Sequence, residues 1–408
     1  MAIVLNIKLK YFKMNCILFD DDSFTNLLPL TFTRPVSEVR VGILKISEKW
    51  QKHLSENVSF LTEDYLSIKY PAKIIDKNIL INGSILPNEL IIKLIRSLKI
   101  GQVLKTGNII VAAHLNADQT SKFNVNEISQ FEIIDTPISF CKINFPWDIF
   151  TNNDTAINED YELLTKGRKS NPISNTNQVS FKERIFLEEG AKVDFSILNA
   201  QHGPIYIGKD AEIMEGCMIR GPLALCEHAV LKMGTKIYGA TTIGPYCKVG
   251  GEINNSVLFS YSSKAHDGFL GNSVLGEWCN LGADTNNSNL KNNYAQVKVW
   301  SYGKERFIDT GLQFCGLIMG DHSKTAIGTM FNTGTVVGVN TNIFGAGFPR
   351  NFVPSFSWGG AGGFTTFGLE KAFEVARIVM KRRNLKLSES DEQILKRVFE
   401  LTEKNRRH

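Results

Sequence analysis

The sequence lacks a surplus of charge of either sign. Its 46 basic side chains stand against 41 acidic ones, a net charge of +5 over 408 residues, too little to direct the chain to a nucleic-acid backbone. It also lacks long apolar runs. No segment reaches the ~18 uncharged apolar residues that a membrane-spanning helix requires. The opening MAIVLNIKLKYFK is too short and too interrupted by charge to read as a secretory leader. Paired cysteine spacings are missing too. Cys16, Cys141, Cys217, Cys226, Cys247, Cys279 and Cys315 are odd in number, scattered, and never in a CxxC arrangement. That excludes a zinc knuckle and a disulfide frame, and fits reduced thiols in a cytoplasmic protein.

What is present is enough apolar material, 43% of residues, for real cores, and a length that fits two domains or one domain plus a solenoid. The dominant pattern is a period of six. Ile207, Ile213, Ile219, Leu225, Leu231, Ile237, Ile243 and Val249 are all large aliphatics. Small residues precede most of them by two positions, as at Ala211, Cys217, Ala229, Thr235, Thr241 and Cys247. A helix repeats its apolar face at 3.6 residues and a two-sided strand at 2, so six fits neither. It fits a coil of three short parallel strands, each aliphatic stacking on its counterpart three hexads away, which is a β-helix of hexapeptide repeats. The repeat is expected to resume at Leu275 and Leu281 and again around Ile327 and Val339. The interruptions at 261–269 and 284–320 then read as loops thrown out of the prism, which in solenoids collect on one face.

Upstream, strand and helix patterns alternate as in an α/β sheet. NCILFD reads as a buried strand ending in acids, RVGILKISEKWQKHL as an amphipathic helix, and PNELIIKLIRSL as a helix opened by Pro87. The expected organisation is an N-terminal extension (1–13), an α/β domain (14–150), a polar linker (151–180), the β-helix (181–350), and a Gly/aromatic loop with C-terminal helices (351–408). Ser388 is the expected cap of the last helix. The basic residues Lys381, Arg382, Arg383, Arg406 and Arg407 are expected to form a solvated face.

A hexapeptide β-helix behind an α/β domain resembles the bifunctional enzymes of the UDP-N-acetylglucosamine pyrophosphorylase/glucosamine-1-phosphate acetyltransferase family. It is more similar still to short bacterial homologues whose nucleotidyltransferase domain is reduced. The likeness spans roughly residues 14–350. Such acetyltransferases carry K-A-G-H-x-x-Y-x-G-D, a hexad, N-x-G-A-G-T and an Asn-bearing pair; here the order is KAHDGFLGN, SVLGEWC, NLGADTNNSNL. The upstream VGGEINNS resembles the family's V-E-I-K-x-S. Phe269 replaces a tyrosine, Asp284 a glycine and Asn254 a lysine, and one residue is missing before the histidine. In the N-terminal half, FDDDSFTNLLPLTFTRPVSEVRVG resembles G-x-G-T-R-L-x-P-L-T-x-x-x-P-K. Pro29-Leu30-Thr31 and Arg34 survive, while Asp20-Asp21-Asp22-Ser23 replaces the glycine loop.

The resemblance implies a Rossmann-like nucleotidyltransferase-type domain followed by a left-handed parallel β-helix. It implies His266 as catalytic base with Asn289 beside it, and Glu252, Asn254, Lys264 and Phe269 as substrate-binding residues. Acetyl-CoA would be co-substrate, a sugar 1-phosphate the acceptor, and the assembly a homotrimer serving cell-envelope synthesis. Acetyl transfer to an amine requires removal of a proton from R-NH₃⁺, a task suited to imidazole. The bland reading of His266 is an exposed loop histidine. His322, in MGDHSK, competes as base, His228 reads as structural, and His202 has no role. For nucleotidyl transfer, Arg34, Arg40 and Asp148 are the candidate phosphate and sugar contacts, and Asp20 and Asp21 the candidate Mg²⁺ ligands. Without the glycines, the aspartates suit a capped, solvated loop better than a Mg²⁺ site. Two other functions stay open: UTP- or dTTP-dependent nucleotidyl transfer with the β-helix as scaffold, and non-catalytic binding of a nucleotide sugar.

Overall fold

The computed structural model describes residues 15–406, so the expected extension at 1–13 and Arg407 lie outside the described residues. The N-terminal unit is a six-stranded mixed sheet of β1 (Asn15–Phe19), β2 (Val58–Leu61), β3 (Lys77–Asn82), β4 (Gln102–Thr106), β5 (Ile109–Asn116) and β6 (Glu132–Asp135), in the order β2-β1-β3-β5-β4-β6. β1 runs parallel to β2 and β3, and β5 antiparallel to β3 and β4. Alternation sets the two faces. Ile17, Phe19, Leu80 and Val103 enter a small core under Phe123 and Ile128. Cys16, Leu18, Ile79 and Ile81 face a larger one that continues into the second domain.

The first expected helix begins at Ile46, since Arg40 and Lys45 pair as an antiparallel bridge before it. The second, Glu89–Ser97, opens on Asn88 instead of Pro87. The Asn88 side chain accepts from the Ile91 amide at 2.9 Å, supplying the partner that a first-turn N–H lacks.

From Gln178 onward the chain winds as a parallel β-solenoid with three faces. All eight aliphatics of the six-residue period lie inside one core with Ala211, Cys217, Ala229 and Cys247. Leu225 pairs in register with Ile207 on one side and Ile243 on the other, three hexads each way. The nine-stranded face, from Ile185–Leu187 to Phe352–Val353, is apolar on both sides: Val257, Val274, Ile318 and Val336 point outward into the N-terminal domain's core. The facing strands Met218–Arg220, Lys236–Tyr238 and Glu252–Asn254 bury only their middle residue.

Several expectations change. Residues 261–269 are not a thrown-out loop: Ser263–Lys264 pairs with Lys248–Val249, and Phe269–Gly271 with Glu252–Asn254. The coil has merely shortened, so that Val249 pairs with Lys264 where an unbroken count of sixes would bring Asp267. The second interruption is narrower than 284–320, because Asn286–Asn287 stays in the coil against Met330–Phe331 and Ile318–Met319 re-enters it. Between them the chain extrudes a hairpin, Lys298–Ser301 with Arg306–Asp309. The repeat resumes in another phase. Ile327 is 78% exposed and Val339 faces the N-terminal domain, whereas Phe331, Val337 and Ile343 fill the prism, again six apart.

Within 151–180 the short helix expected before the polar run is Asn153–Thr165, which buries Ala156 and Ile157. Asn153 ties it to the solenoid by donating to the Ala240 carbonyl at 2.9 Å. At the other end Ser357–Gly360 adds to Asn342–Ile343, so the solenoid runs past 350. Helices Leu369–Lys381 and Glu389–Leu401 pack onto the shared core, the latter capped by Ser388, whose hydroxyl accepts from the Asp391 amide at 3.1 Å. Arg406 departs from the solvated face: it is buried over the Phe399 ring at 4.0 Å and donates to the Phe399 carbonyl at 2.8 Å. None of the seven cysteines is joined in a disulfide. Among the described residues no helix is long and apolar enough to cross a membrane.

Candidate functional site

The solenoid turns one of its corners at His266-Asp267-Gly268. Corners of successive coils lie directly on one another, and here they leave no space for a Cβ. One added at Gly268 (φ +113°) would stand 2.3 Å from the Thr285 carbonyl oxygen, and one at Gly251 (φ +79°) 2.7 Å from the Gly268 oxygen.

Just before the corner, Lys264 occupies an inward position, in register with Val249, where the coils behind it carry Leu231 and Ile213. It is 1% exposed. Its Nζ donates to the Gly250 carbonyl at 2.9 Å and the His266 carbonyl at 2.8 Å, so the ammonium ties the corner to the preceding coil. Burial pushes its pKa down to about 8, against the opposing pull of Asp267 and Asp284.

His266 and Asp267 are exposed and border an open groove of about 800 Å³, whose walls include Met214, Lys232, Met233 and Ala283. Met214-Glu215-Gly216 and Lys232-Met233-Gly234 are the same corner one coil apart, three hexads along the sequence. That spacing was the signal for Met214, Lys232 and Met233, and reading the period only through its inward aliphatics passed over it.

The adjoining face gathers four more candidates. Glu252 pairs in register with Phe269, and Asn254 with Gly271. The Glu252 carboxylate accepts from the Tyr238 hydroxyl at 2.5 Å. Phe269 and Asn289 meet over Gly271, where an added Cβ would lie 2.5 Å from the Phe269 ring and 2.7 Å from the Asn289 amide nitrogen. Asn289 donates to the Asn272 side chain at 2.8 Å. The side chains of Asn286 and Asn287 accept from the Phe269 and Gly271 amides at 2.7 and 2.9 Å, so amide groups continue the ladder here.

His322 is not a base of this kind. It is buried, stacked beside Trp278, and pushed down to about 3 by burial and then by Lys324. It closes a column of rings, His228, Tyr246, Tyr261, Trp278 and His322, one from each coil along a different corner. Each ring residue has positive φ.

The N-terminal candidates are not brought to the His266 groove. Arg34 is buried over the Phe259 ring, hydrogen-bonded to Asp321 and 3.3 Å from Glu277, a clamp between the domains. Arg40 donates to the Ile43 carbonyl and lies 3.7 Å from Glu48. Asp148 caps the helix Pro146–Thr151, accepting from the Asn144 and Phe145 amides at 2.8 Å. Asp20 accepts from the Val36 amide and the Thr62 hydroxyl, and burial, with Asp21 and Glu63 adding, pushes it up to about 7. Asp21 accepts from Asn82 at 2.9 Å and pairs with Lys142 at 3.1 Å; burial opposes its charge, but Lys142 and the hydrogen bonds from Asn82 and Ser23 together outweigh that and hold the carboxyl below its ordinary value.

This donor set does not fit Mg²⁺. A lysine ammonium stands where the cation would, and Asp20 is committed to the protein's own donors. No group of three or more His, Cys, Asp or Glu suited to a metal occurs among the described residues.

The architecture is thus an α/β domain clamped along one face of a β-solenoid. A family model for sugar nucleotidyl transferases matches residues 16–169. No curated protein matches. Solved structures found similar include the polySia-specific acetyltransferase NeuO, at 11% identity and a TM-score of 0.23 over 47% of this chain and 79% of that one. A UDP-N-acetylglucosamine acyltransferase matches at 12% identity and a TM-score of 0.19, over 57% and 88%. The UDP-N-acetylglucosamine acyltransferase from Campylobacter jejuni matches at 14% identity and a TM-score of 0.17, over 56% and 96%.

Proposed function

We propose that this chain is a sugar-modifying transferase that moves an acyl group, preferentially acetyl, from acyl-CoA to the amine of a sugar 1-phosphate. The observation that carries the reading is His266 on a corner fixed from below by Lys264, open above to a groove. The imidazole takes a proton from the ammonium of the acceptor, the freed nitrogen attacks the thioester carbonyl, and the thiolate of the donor departs. Met214, Met233 and Ala283 offer an apolar wall to an extended pantetheine arm. Glu252 and Asn254, one coil from Phe269 and Gly271, are the proposed sugar contacts. The exposed Phe195, Ile197, Met218 and Met233 near this edge support a trimer in which a second copy supplies the other wall. Seven cysteines without a disulfide fit a reducing, cytoplasmic setting.

The test is release of free thiol from acetyl-CoA with glucosamine 1-phosphate. His266→Ala lowers that rate by roughly 10²–10⁴-fold; an unchanged rate removes His266 from the role of base.

The family match over residues 16–169 favours a second reading, nucleotidyl transfer at the N-terminal domain, tested by pyrophosphate release from UTP or dTTP. Against it, Arg34, Arg40 and Asp148 are spent on internal contacts.

A further inference from the structure

We propose that the cleft at the tail of the solenoid binds a nucleoside phosphate, at a site separate from the His266 groove. The extruded hairpin borders an open cleft of about 740 Å³ between itself, the last coils and the C-terminal turn that carries Asn405. That volume lies in the range of small-molecule sites. Its two walls and the amide side chain between them match three parts of one molecule.

The first wall is aromatic. Trp300 of the hairpin stacks on Phe352 of the solenoid, with ring centres 4.4 Å apart and planes at 12°. Phe307 stands edge-on to Trp300 at 5.4 Å and is 43% exposed, leaving apolar ring surface free for a flat base. The second wall is cationic: Lys291, Lys298 and Arg350 line the cleft, and among the described residues no acidic side chain lines it. Lys298 has only a loose, exposed contact with Asp309 at 3.7 Å, and Lys291 is held by the Gln296 carbonyl at 2.9 Å. Among the described residues Arg350 forms no ion pair, so its planar fork remains available to a phosphate. Between the two, the Asn351 amide donates to the Thr333 carbonyl at 3.0 Å, and its own oxygen is left to accept from a ribose hydroxyl or a base N–H.

A fatty acyl chain would use the aromatic wall but not three cations. A free phosphate would use the cations but not the rings.

The experiment is titration calorimetry on the full chain with ADP and UDP, with inorganic phosphate and decanoate as further probes. One-to-one saturation by a nucleoside diphosphate is expected, weakened at least ~10-fold by Arg350→Ala and by Phe307→Ala and unchanged by His266→Ala. Circular dichroism establishes that the variants fold. The proposal is overturned if neither diphosphate saturates at millimolar concentration, or if phosphate or decanoate binds as tightly. It is also overturned if Arg350→Ala and Phe307→Ala leave binding intact, or if His266→Ala abolishes it. Because His266→Ala is one arm, failure of the acyl-transfer reading leaves this result interpretable.

Discussion

Replacing Lys264 by methionine tests why a charged group sits in the row of aliphatics. The ammonium titrates at about 8 in the folded chain against 10.5 when solvated. Each tenfold change in proton affinity is worth about 1.4 kcal/mol, so holding the charge inside the prism below pH 8 costs about 3 kcal/mol. Methionine removes that cost, and Val249, the register partner, shows that an apolar side chain suits the position. It also strips a donor from the Gly250 and His266 carbonyls, and a buried acceptor left unpaired costs about 1–3 kcal/mol. The two effects oppose each other, and Lys264→Met is expected within about 2 kcal/mol of the parent in urea denaturation at pH 7. The pH dependence separates them. Between pH 8 and 10.5 the unfolded chain holds this proton more tightly than the folded one, so this lysine makes stability rise with pH across that window. The difference between parent and variant is therefore expected to shift by about 3 kcal/mol in the parent's favour from pH 7.5 to 10.5. Acyl transfer falls in the variant even where stability does not, because the His266 corner loses its anchor. A difference that stays flat over that window, or a loss above about 4 kcal/mol at pH 7, would refute the reasoning.

Asp20 carries the opposite sign. Its folded value of about 7 lies above the ordinary 3.8, so its contribution is fully present below pH 4 and is lost as pH rises through 7. Asp20→Asn is expected to gain about 2–4 kcal/mol relative to the parent between pH 4 and pH 8, read as a rising difference in thermal midpoint. At the domain interface, Asp321→Ala leaves Arg34 with Glu277 alone and is expected to cost about 3–5 kcal/mol; Arg34→Leu with Asp321→Ala together should restore most of that. Urea transitions of the two variants check it, and a double variant no better than the single one contradicts the clamp.

The solenoid was legible because its signal is redundant: each inward aliphatic between Ile207 and Val249 repeats the same steric demand every six residues. The site was less so. KAHDGFLG breaks the apolar pattern, and a polar side chain at an inward position reads as an outward loop unless its carbonyl partners are known. Lys264 is such a case, polar at its tip and coil-forming in its backbone. The restart reads as Ile327 because aliphatic identity alone cannot fix phase once a hairpin has intervened; Phe331 and Thr325 carry the inward row instead. Arg34, Arg40 and Asp148 read as ligand contacts because sequence reveals charge and not its partner. Arg34 meets its partner Asp321, at 287 residues' separation, only once the two domains have packed, whereas Arg40 and Asp148 are taken up by backbone groups three or four residues away.

That packing has an evolutionary consequence. Solenoids ordinarily change length by gaining or losing coils, since each coil touches only its neighbours. Here the N-terminal domain grips two fixed rungs: Thr242 donates to the Gly42 carbonyl at 3.0 Å, and Asp321 takes Thr33 at 2.7 Å. Three rung steps, from Ile243 through Leu258 and Leu275 to Met319, separate the two grips, or about 14 Å at the spacing of paired strands. A duplicated coil between them would carry Asp321 a full rung beyond Arg34. The domain acts as a caliper on the solenoid, and variation in coil number is confined to the ends it does not span.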